Sequence, residues 1–140
     1  MKISVYTDGG ARGNPGPAGF GLVIYDDHKK IIYQESTFLG TKTNNEAEYS
    51  GLIAALIWIN NNKENFNLTE FEIFSDSQLL VRQIQGKYKV KAQNLKIYYL
   101  KVMELLDYIN LKYNFKDIRR ERNILADELA NQAMDKAVLP

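Results

Sequence analysis

Three segments near the start of the chain have the alternating apolar and polar pattern of β-strands. In Lys2–Asp8, β-branched and aromatic residues recur at every second position, and Phe20–Tyr25 and Ile31–Leu39 have a similar composition. The first strand is expected to stop at Asp8, where a loop rich in glycine and proline begins. A polar turn at 26–30 separates the other two segments. Connections this short predict an antiparallel meander.

The rest of the chain alternates between helical and strand patterns. Thr43 and the asparagines after it are good helix N-caps, and apolar residues then recur at helical spacing as far as Ile59. The predicted elements are a helix from Thr43 to about Asn62, a strand Phe71–Ser75, a brief helix Ser77–Ile84, a helix Asn94–Ile109, a strand Lys112–Ile118 and a helix Asn123–Ala137. This order predicts an α/β fold in one domain, residues 1–140. Its mixed sheet has five strands, three antiparallel and then two parallel additions, with helices on both faces.

Composition excludes several classes of protein. The chain has 140 residues, a formal net charge of +1 and no cysteine, so disulfides and zinc–thiolate sites are excluded. It contains no P-loop motif and no apolar run of membrane-spanning length. A chain without cysteine suits a reducing compartment, and we expect a cytoplasmic protein.

Two aspartates, Asp8 and Asp76, each follow a predicted strand directly. If those strands are parallel neighbours, both carboxylates lie at one edge of the sheet, where open α/β sheets bind ligands. The alternative is that Asp8 only starts a turn with Gly9, and that both acids are ordinary solvated side chains.

Two predicted helices bring further acids to the same edge. In the last helix, Asp127 borders the alanine-rich face and Glu128 points to solvent, so Asp127 is the better candidate. Glu46 and Glu48 flank opposite edges of the apolar stripe of the first helix, and periodicity leaves them tied.

Converging carboxylates repel each other and therefore need cations. Oxygen ligands without cysteine or histidine favour Mg²⁺ or Mn²⁺. Two such ions, about 4 Å apart, can activate a water and stabilise the leaving oxygen in phosphodiester hydrolysis.

Four long motifs resemble the type 1 ribonuclease H family, and together they cover nearly the whole chain. They are YTDGGARGNPGPAGFG, TNNEAEYSGLIAAL, IFSDSQLLVRQIQGKYKVK and RRERNILADELANQA. The resemblance implies the ribonuclease H-like fold. It also implies a Mg²⁺-dependent endonuclease that cuts the RNA strand of RNA–DNA hybrids and leaves 5′-phosphate and 3′-hydroxyl ends.

The resemblance also implies which acids are catalytic and bind metal. The family's acids match Asp8, Asp76 and Asp127, and its helix acid lies three residues after the paired asparagines. That spacing selects Glu48 over Glu46.

This chain departs from many members of the family in two places. Its only histidine, His28, lies in an early turn, and Arg120 resembles the residue that one subgroup has in place of the family's loop histidine. Arginine stays charged, so Arg120 would act by charge and hydrogen bonding. The basic, tryptophan-rich handle is reduced to a short segment, 86–93, and Trp58 is expected in the core.

Substrate contacts are expected in two regions. The resemblance places Gly9, Gly10, Asn14, Asn45 and Gln78 near the RNA minor groove, where the 2′-hydroxyl distinguishes RNA from DNA. It assigns a DNA phosphate to Thr43 together with Asn14, although Asn14 could also be a simple turn residue before proline.

A second region is basic and has no acid between Asp76 and Glu104. It contains Lys87 and Lys89 and predicts a strip that contacts phosphates. The alternative is a solvated helix face.

Two other functions compete with the nuclease. One is a catalytically silent nucleic-acid-binding module on the same fold, against which the four acids argue. The other is an actin-like phosphotransferase, for which the chain is too short. The sequence leaves cleavage of double-stranded RNA open, and we expect a monomer.

Overall fold

The computed structural model describes residues 1–138, and every predicted strand and helix is present. The elements are β1 (Lys2–Ala11), β2 (Gly16–Tyr25), β3 (Ile31–Lys42), α1 (Asn44–Asn62), β4 (Glu70–Ser75), α2 (Gln78–Ile84), α3 (Gln93–Ile109), β5 (Lys112–Asp117) and α4 (Ile124–Asp135). Short 3₁₀ turns occupy Arg120–Arg122 and Lys136–Val138.

The five strands form one mixed sheet in the order β3-β2-β1-β4-β5. Strands β1, β2 and β3 are antiparallel neighbours, β4 runs parallel to β1, and β5 runs parallel to β4. The predicted α/β architecture, three antiparallel strands followed by two parallel ones, is confirmed. In the β1–β4 ladder Thr7 pairs with Ser75, so Asp8 and Asp76 lie side by side just beyond the last pair of this ladder.

Strand β1 continues three residues beyond the predicted end at Asp8. Gly9, Gly10 and Ala11 pair with residues of β2, and the connection between the strands shrinks to residues 12–15. The prediction that the strand stops at Asp8 was wrong because glycine's low strand propensity is outweighed here by ladder pairing with β2.

The main core lies between the sheet and helices α1 to α3. It contains Ile3 and Val5 of β1 together with Leu52, Leu56 and Ile59 of α1, all fully buried. Trp58 packs against this core as predicted, with its ring 5.4 Å from that of Tyr33 and 5.5 Å from that of Phe66. Within residues 1–138, no helix has both the length and the apolar character that crossing a bilayer requires.

Helix α4 covers the other face of the sheet at very short range. A Cβ built on Gly21 of β2 would lie 2.3 Å from the carbonyl oxygen of Ala126, and one on Gly19 would lie 2.6 Å from Cβ of Ala133. Only glycine allows this approach, which seats both ends of α4 against β2. Helix α4 ends at Asp135, two residues before the predicted end at Ala137, which lies in the following 3₁₀ turn and is exposed.

Candidate active site

Three carboxylates from distant parts of the chain converge at the edge of the sheet. One oxygen each of Asp8, Glu48 and Asp76 lies within 4.8 Å of the others. Asp8 follows Thr7 in β1, and Asp76 follows the last residue of β4 directly. Asp8 and Glu48 are each only 8% exposed, so the group is not an ordinary solvated patch.

The first turn of α1 assigns different roles to its two glutamates. Thr43 is the N-cap, and its Oγ1 accepts a hydrogen bond of 3.1 Å from the backbone N–H of Glu46. In return the N–H of Thr43 donates to Oε1 of Glu46 at 2.9 Å, which completes a capping box. Glu46 is therefore committed to the helix end, and Glu48 is the acid that reaches the cluster.

Close contact between β1 and α1 holds Glu48 in place. A Cβ built on Gly9 would lie 2.5 Å from the backbone carbonyl of Ala47, so only glycine fits between the two elements. The N–H of Gly9 donates to Oε1 of Glu48 at 3.3 Å, which orients that carboxylate toward Asp8. Gly9 thus has a structural role in the cluster that its sequence pattern did not reveal.

The start of α4 forms a further side of the cleft in which Asp8, Glu48 and Asp76 lie. Asn123, which is 1% exposed, donates from Nδ2 to the carbonyl of Thr7 at 2.8 Å and ties this helix to β1. Asp127 and Arg120 then line the same cleft as the three clustered acids, and its volume is about 460 Å³.

Burial and mutual repulsion disfavour the charged forms of these acids. Burial, followed by the charge of Asp76 and the carboxyl group of Asp127, raises the pKa of Asp8 to about 8. Burial, then the charges of Asp8 and Asp76, raise the pKa of Glu48 well above its usual range. Burial also raises the pKa of Asp76, although the Arg120 guanidinium opposes this shift. The Arg120 guanidinium is therefore not enough to hold all three acids in their charged forms, and a bound cation would favour those forms.

The donor set fits a divalent cation. Oε2 of Glu48 and Oδ2 of Asp76 are buried, and neither has a hydrogen-bond partner within the described part of the chain. Buried carboxylate oxygens rarely stay unpaired, and hard oxygen donors suit Mg²⁺ or Mn²⁺. A cation among these oxygens would remove both the repulsion and the missing partners.

The cleft contains some of the predicted substrate residues and adjoins the others. Gly9, Gly10, Asn45 and Arg120 line it. Gln78 is the first residue of α2, directly after Ser77 of the cleft wall, and its side chain is exposed.

Asn14 and Thr43 are joined through Asn44, which sequence reasoning treated only as part of a helix cap. The backbone N–H of Asn44 donates to Oδ1 of Asn14 at 2.9 Å, and Oδ1 of Asn44 accepts from the N–H of Ala11 at 2.7 Å. These bonds fix the β1–β2 connection against the start of α1. Asn14 is thus more than an isolated turn residue.

The basic segment lies outside the carboxylate cleft. Lys87 and Lys89 are exposed in the connection between α2 and α3, and Lys89 borders a separate groove of about 410 Å³ with Tyr88, Lys96 and other residues. Arg82 is held by Tyr88, whose hydroxyl accepts its hydrogen bond at 2.7 Å.

Sequence reasoning missed two polar residues near the cleft, Asn123 and Arg12. Asn123 lies in the motif RRERNILADELANQA, in which only Arg120 and Asp127 were assigned functions. Arg12 lines the cleft beside Asn131 of α4, and no local pattern pointed to that contact.

Comparisons with a family model and with known relatives indicate the same family. The family model described as "Reverse transcriptase-like" matches residues 6–133. A bifunctional protein of Mycobacterium tuberculosis is 41% identical over 98% of this chain, and the chain spans only 36% of that relative's length. A ribonuclease H of Ruthia magnifica is 33% identical over 96% of this chain and 97% of its own length.

Solved structures agree with the sequence matches. The crystal structure of LC11-RNase H1 in complex with an RNA/DNA hybrid is 45% identical and superposes with a TM-score of 0.91. The match covers 97% of this chain and 99% of that protein. On the strength of the matched family model, the full-length relative and the shared fold, this chain belongs to the ribonuclease H family.

Proposed function

We propose that this protein is a metal-dependent endonuclease that hydrolyses the RNA strand of RNA–DNA hybrids, leaving 5′-phosphate and 3′-hydroxyl ends. The observation that carries the proposal is the cluster of Asp8, Glu48 and Asp76, in which Oε2 of Glu48 and Oδ2 of Asp76 are buried without a hydrogen-bond partner among residues 1–138. The RNA/DNA hybrid bound by the similar LC11-RNase H1 supports the choice of substrate.

In this proposal Asp8, Glu48, Asp76 and Asp127 are the catalytic acids and would hold Mg²⁺, with Mn²⁺ as a substitute. When bound, a pair of such ions activates a water and stabilises the leaving oxygen in phosphodiester hydrolysis. The protein fixes the ligands in advance. The Gly9 N–H occupies one oxygen of Glu48 and leaves Oε2 free, while the pairing of Thr7 with Ser75 fixes the backbone next to Asp8 and Asp76.

Recognition of the RNA strand is assigned to the rim of the cleft. Gly9, Gly10, Asn45 and Gln78 would face the minor groove, where amide and backbone groups can donate to and accept from a 2′-hydroxyl. Asn14 acts with them. Its Oδ1 is already occupied by Asn44, so its Nδ2 is the group available to the nucleic acid.

Two further contacts are proposed to phosphates. Thr43 and Asn14, brought together at the start of α1, would hold a phosphate of the DNA strand. Arg120 would act by charge next to Asp76, because arginine does not release a proton near neutral pH.

A comparison of substrates tests the proposed function. Labelled RNA–DNA hybrid, duplex RNA and duplex DNA are each incubated with the protein, with Mg²⁺, with Mn²⁺ and with EDTA. We expect cleavage of the RNA strand of the hybrid with either metal, none with EDTA and none of duplex DNA. Hybrid binding without cleavage under every condition would instead identify a silent binding module.

The exposed lysines between α2 and α3 should control hybrid affinity through phosphate contacts. We expect Lys87→Ala and Lys89→Ala each to weaken binding about threefold at moderate salt and to lower the slope of log K against log salt by about 1. Fluorescence anisotropy with a labelled hybrid measures both quantities. Lys112→Ala, on β5, is the control. If the strip is a solvated face, all three variants will behave alike.

A further inference from the structure

Arg12 is a second arginine at the carboxylate cleft, and the proposed chemistry leaves it without a role. It lies in the connection after β1, and its side chain is 45% exposed. Its Nη1 lies 2.7 Å from Oδ1 of Asp135, at the end of α4. Its Nη2 donates to the backbone oxygen and to Oδ1 of Asn131, each at 3.4 Å. One edge of the guanidinium is thus held by an exposed carboxylate and the other by two long hydrogen bonds.

The cleft places Arg12 apart from the other arginine. Arg120 precedes α4 and acts on Asp76, whereas Arg12 contacts α4 at Asn131, seven residues after the helix begins. At a rise of 1.5 Å per residue this separates the start of α4 from Asn131 by about 10 Å along the helix. A nucleic-acid strand repeats its phosphates about every 3.4 Å along the duplex axis, so arginines positioned this far apart along α4 would reach different phosphates.

The contacts of Arg12 are weak enough to be exchanged. Surface ion pairs between exposed side chains contribute little, with a median of about 0–1 kcal/mol. The Asp135 side chain is 63% exposed and can turn to solvent without leaving a buried charge. A phosphate offers the guanidinium two acceptor oxygens in a planar, bidentate arrangement that Asp135 only partly supplies.

We propose that Arg12 is a phosphate-binding residue for the hybrid, next to the scissile site, and that Asp135 occupies its guanidinium until substrate arrives. The inference rests on the proposed nuclease function and assigns a further substrate contact to the same cleft. Asp135 then acts as a competitor: it neutralises Arg12 in the free protein and gives way to a backbone phosphate.

The alternative is purely structural: the Arg12–Asp135 pair could simply fasten the β1–β2 connection to α4. The two accounts predict different outcomes for two substitutions that break the same pair. If the pair only fastens the connection to α4, Arg12→Ala and Asp135→Asn have the same effect on hybrid binding. If Asp135 competes with a phosphate for Arg12, the effects are opposite: Arg12→Ala removes the guanidinium, whereas Asp135→Asn frees it to bind the phosphate.

The test measures hybrid binding in an Asp76→Asn background and steady-state cleavage in the otherwise unchanged protein. We expect Arg12→Ala to weaken binding about fivefold, lower the salt slope by about 0.9 and raise KM more than it lowers kcat. Asp135→Asn should tighten binding about threefold. Arg12→Lys, which keeps the charge without the fork, should fall between the wild type and Arg12→Ala.

Lys116→Ala and Glu72→Gln are the controls, since each breaks an ion pair of 3.1 Å between β4 and β5, outside the cleft, and should leave binding unchanged. Thermal melts of every variant show whether the fold is retained. Equal weakening by Arg12→Ala and Asp135→Asn, or an unchanged salt slope, would overturn the role of Arg12 while wild-type cleavage upholds the nuclease. A wild type that neither binds nor cuts hybrid would overturn both.

Discussion

Asp76→Asn is expected to lower cleavage of an RNA–DNA hybrid by about 10³-fold, equivalent to roughly 4 kcal/mol of transition-state stabilisation. The substitution removes the charge of a proposed metal-binding carboxylate, whose Oδ2 is buried beside Asp8 and Glu48 and has no hydrogen-bond partner among residues 1–138. Hybrid binding should stay within about threefold, because the proposed phosphate contacts lie elsewhere on the surface. Single-turnover cleavage and anisotropy binding separate the two effects.

Asp117→Asn is the control, because it makes the same substitution at a comparable position in the sheet. Asp117 ends β5, pairs in register with Ser75 and is exposed. It is therefore an aspartate at the end of the adjacent parallel strand but outside the cluster. Its substitution should leave cleavage unchanged. If Asp76→Asn cuts hybrid as fast as Asp117→Asn does, Asp76 has no part in the reaction.

Without metal, the protein should lose stability as pH rises. Asp8 has an unfolded pKa near 3.8 and a folded pKa of about 8, so the folded state binds the extra proton between these values. This contribution to stability is fully present below about pH 4 and is lost as pH rises towards 8. We expect the free energy of unfolding to fall by about 2–3 kcal/mol, or Tm by roughly 8 °C, between pH 5 and 8.5 in EDTA. The neighbouring acids share this titration, so the change belongs to the cluster and not to Asp8 alone.

Two comparisons identify the cluster as the cause. Asp8→Asn removes one charge and should make the metal-free protein more stable than the wild type at pH 8.5 while abolishing cleavage. Mg²⁺ should raise the Tm of the wild type at pH 8.5 and have little effect on the variant, since ligands stabilise only the state that binds them. A metal-free Tm that does not change with pH would mean that the acids do not repel one another.

The sequence was sufficient to place the strand-end acids. Asp8 and Asp76 each come at the end of a predicted strand, and parallel pairing of those two strands brings the carboxylates to one edge of the sheet. Periodicity could not choose between Glu46 and Glu48. A local signal was nevertheless present, because Thr43 followed three residues later by Glu46 is the pattern of a capping box.

Other features depend on tertiary packing and had no local signal. Gly9 allows the backbone of Ala47 to approach β1 closely, and nothing in a run of glycines indicates that approach. The same holds for Arg12, whose partners lie more than 115 residues away. Asn123 could have been considered from the sequence, since it lies in the motif RRERNILADELANQA. Its hydrogen bond to the carbonyl of Thr7, however, forms only when α4 packs on the sheet.

The most direct test of the central claim is anomalous diffraction from crystals of this protein soaked in Mn²⁺. The account predicts a strong anomalous peak in contact with carboxylate oxygens of Asp8, Glu48 and Asp76, and its loss in Asp76→Asn crystals treated in the same way. A peak elsewhere on the surface, with none among these three carboxylates, would contradict the account.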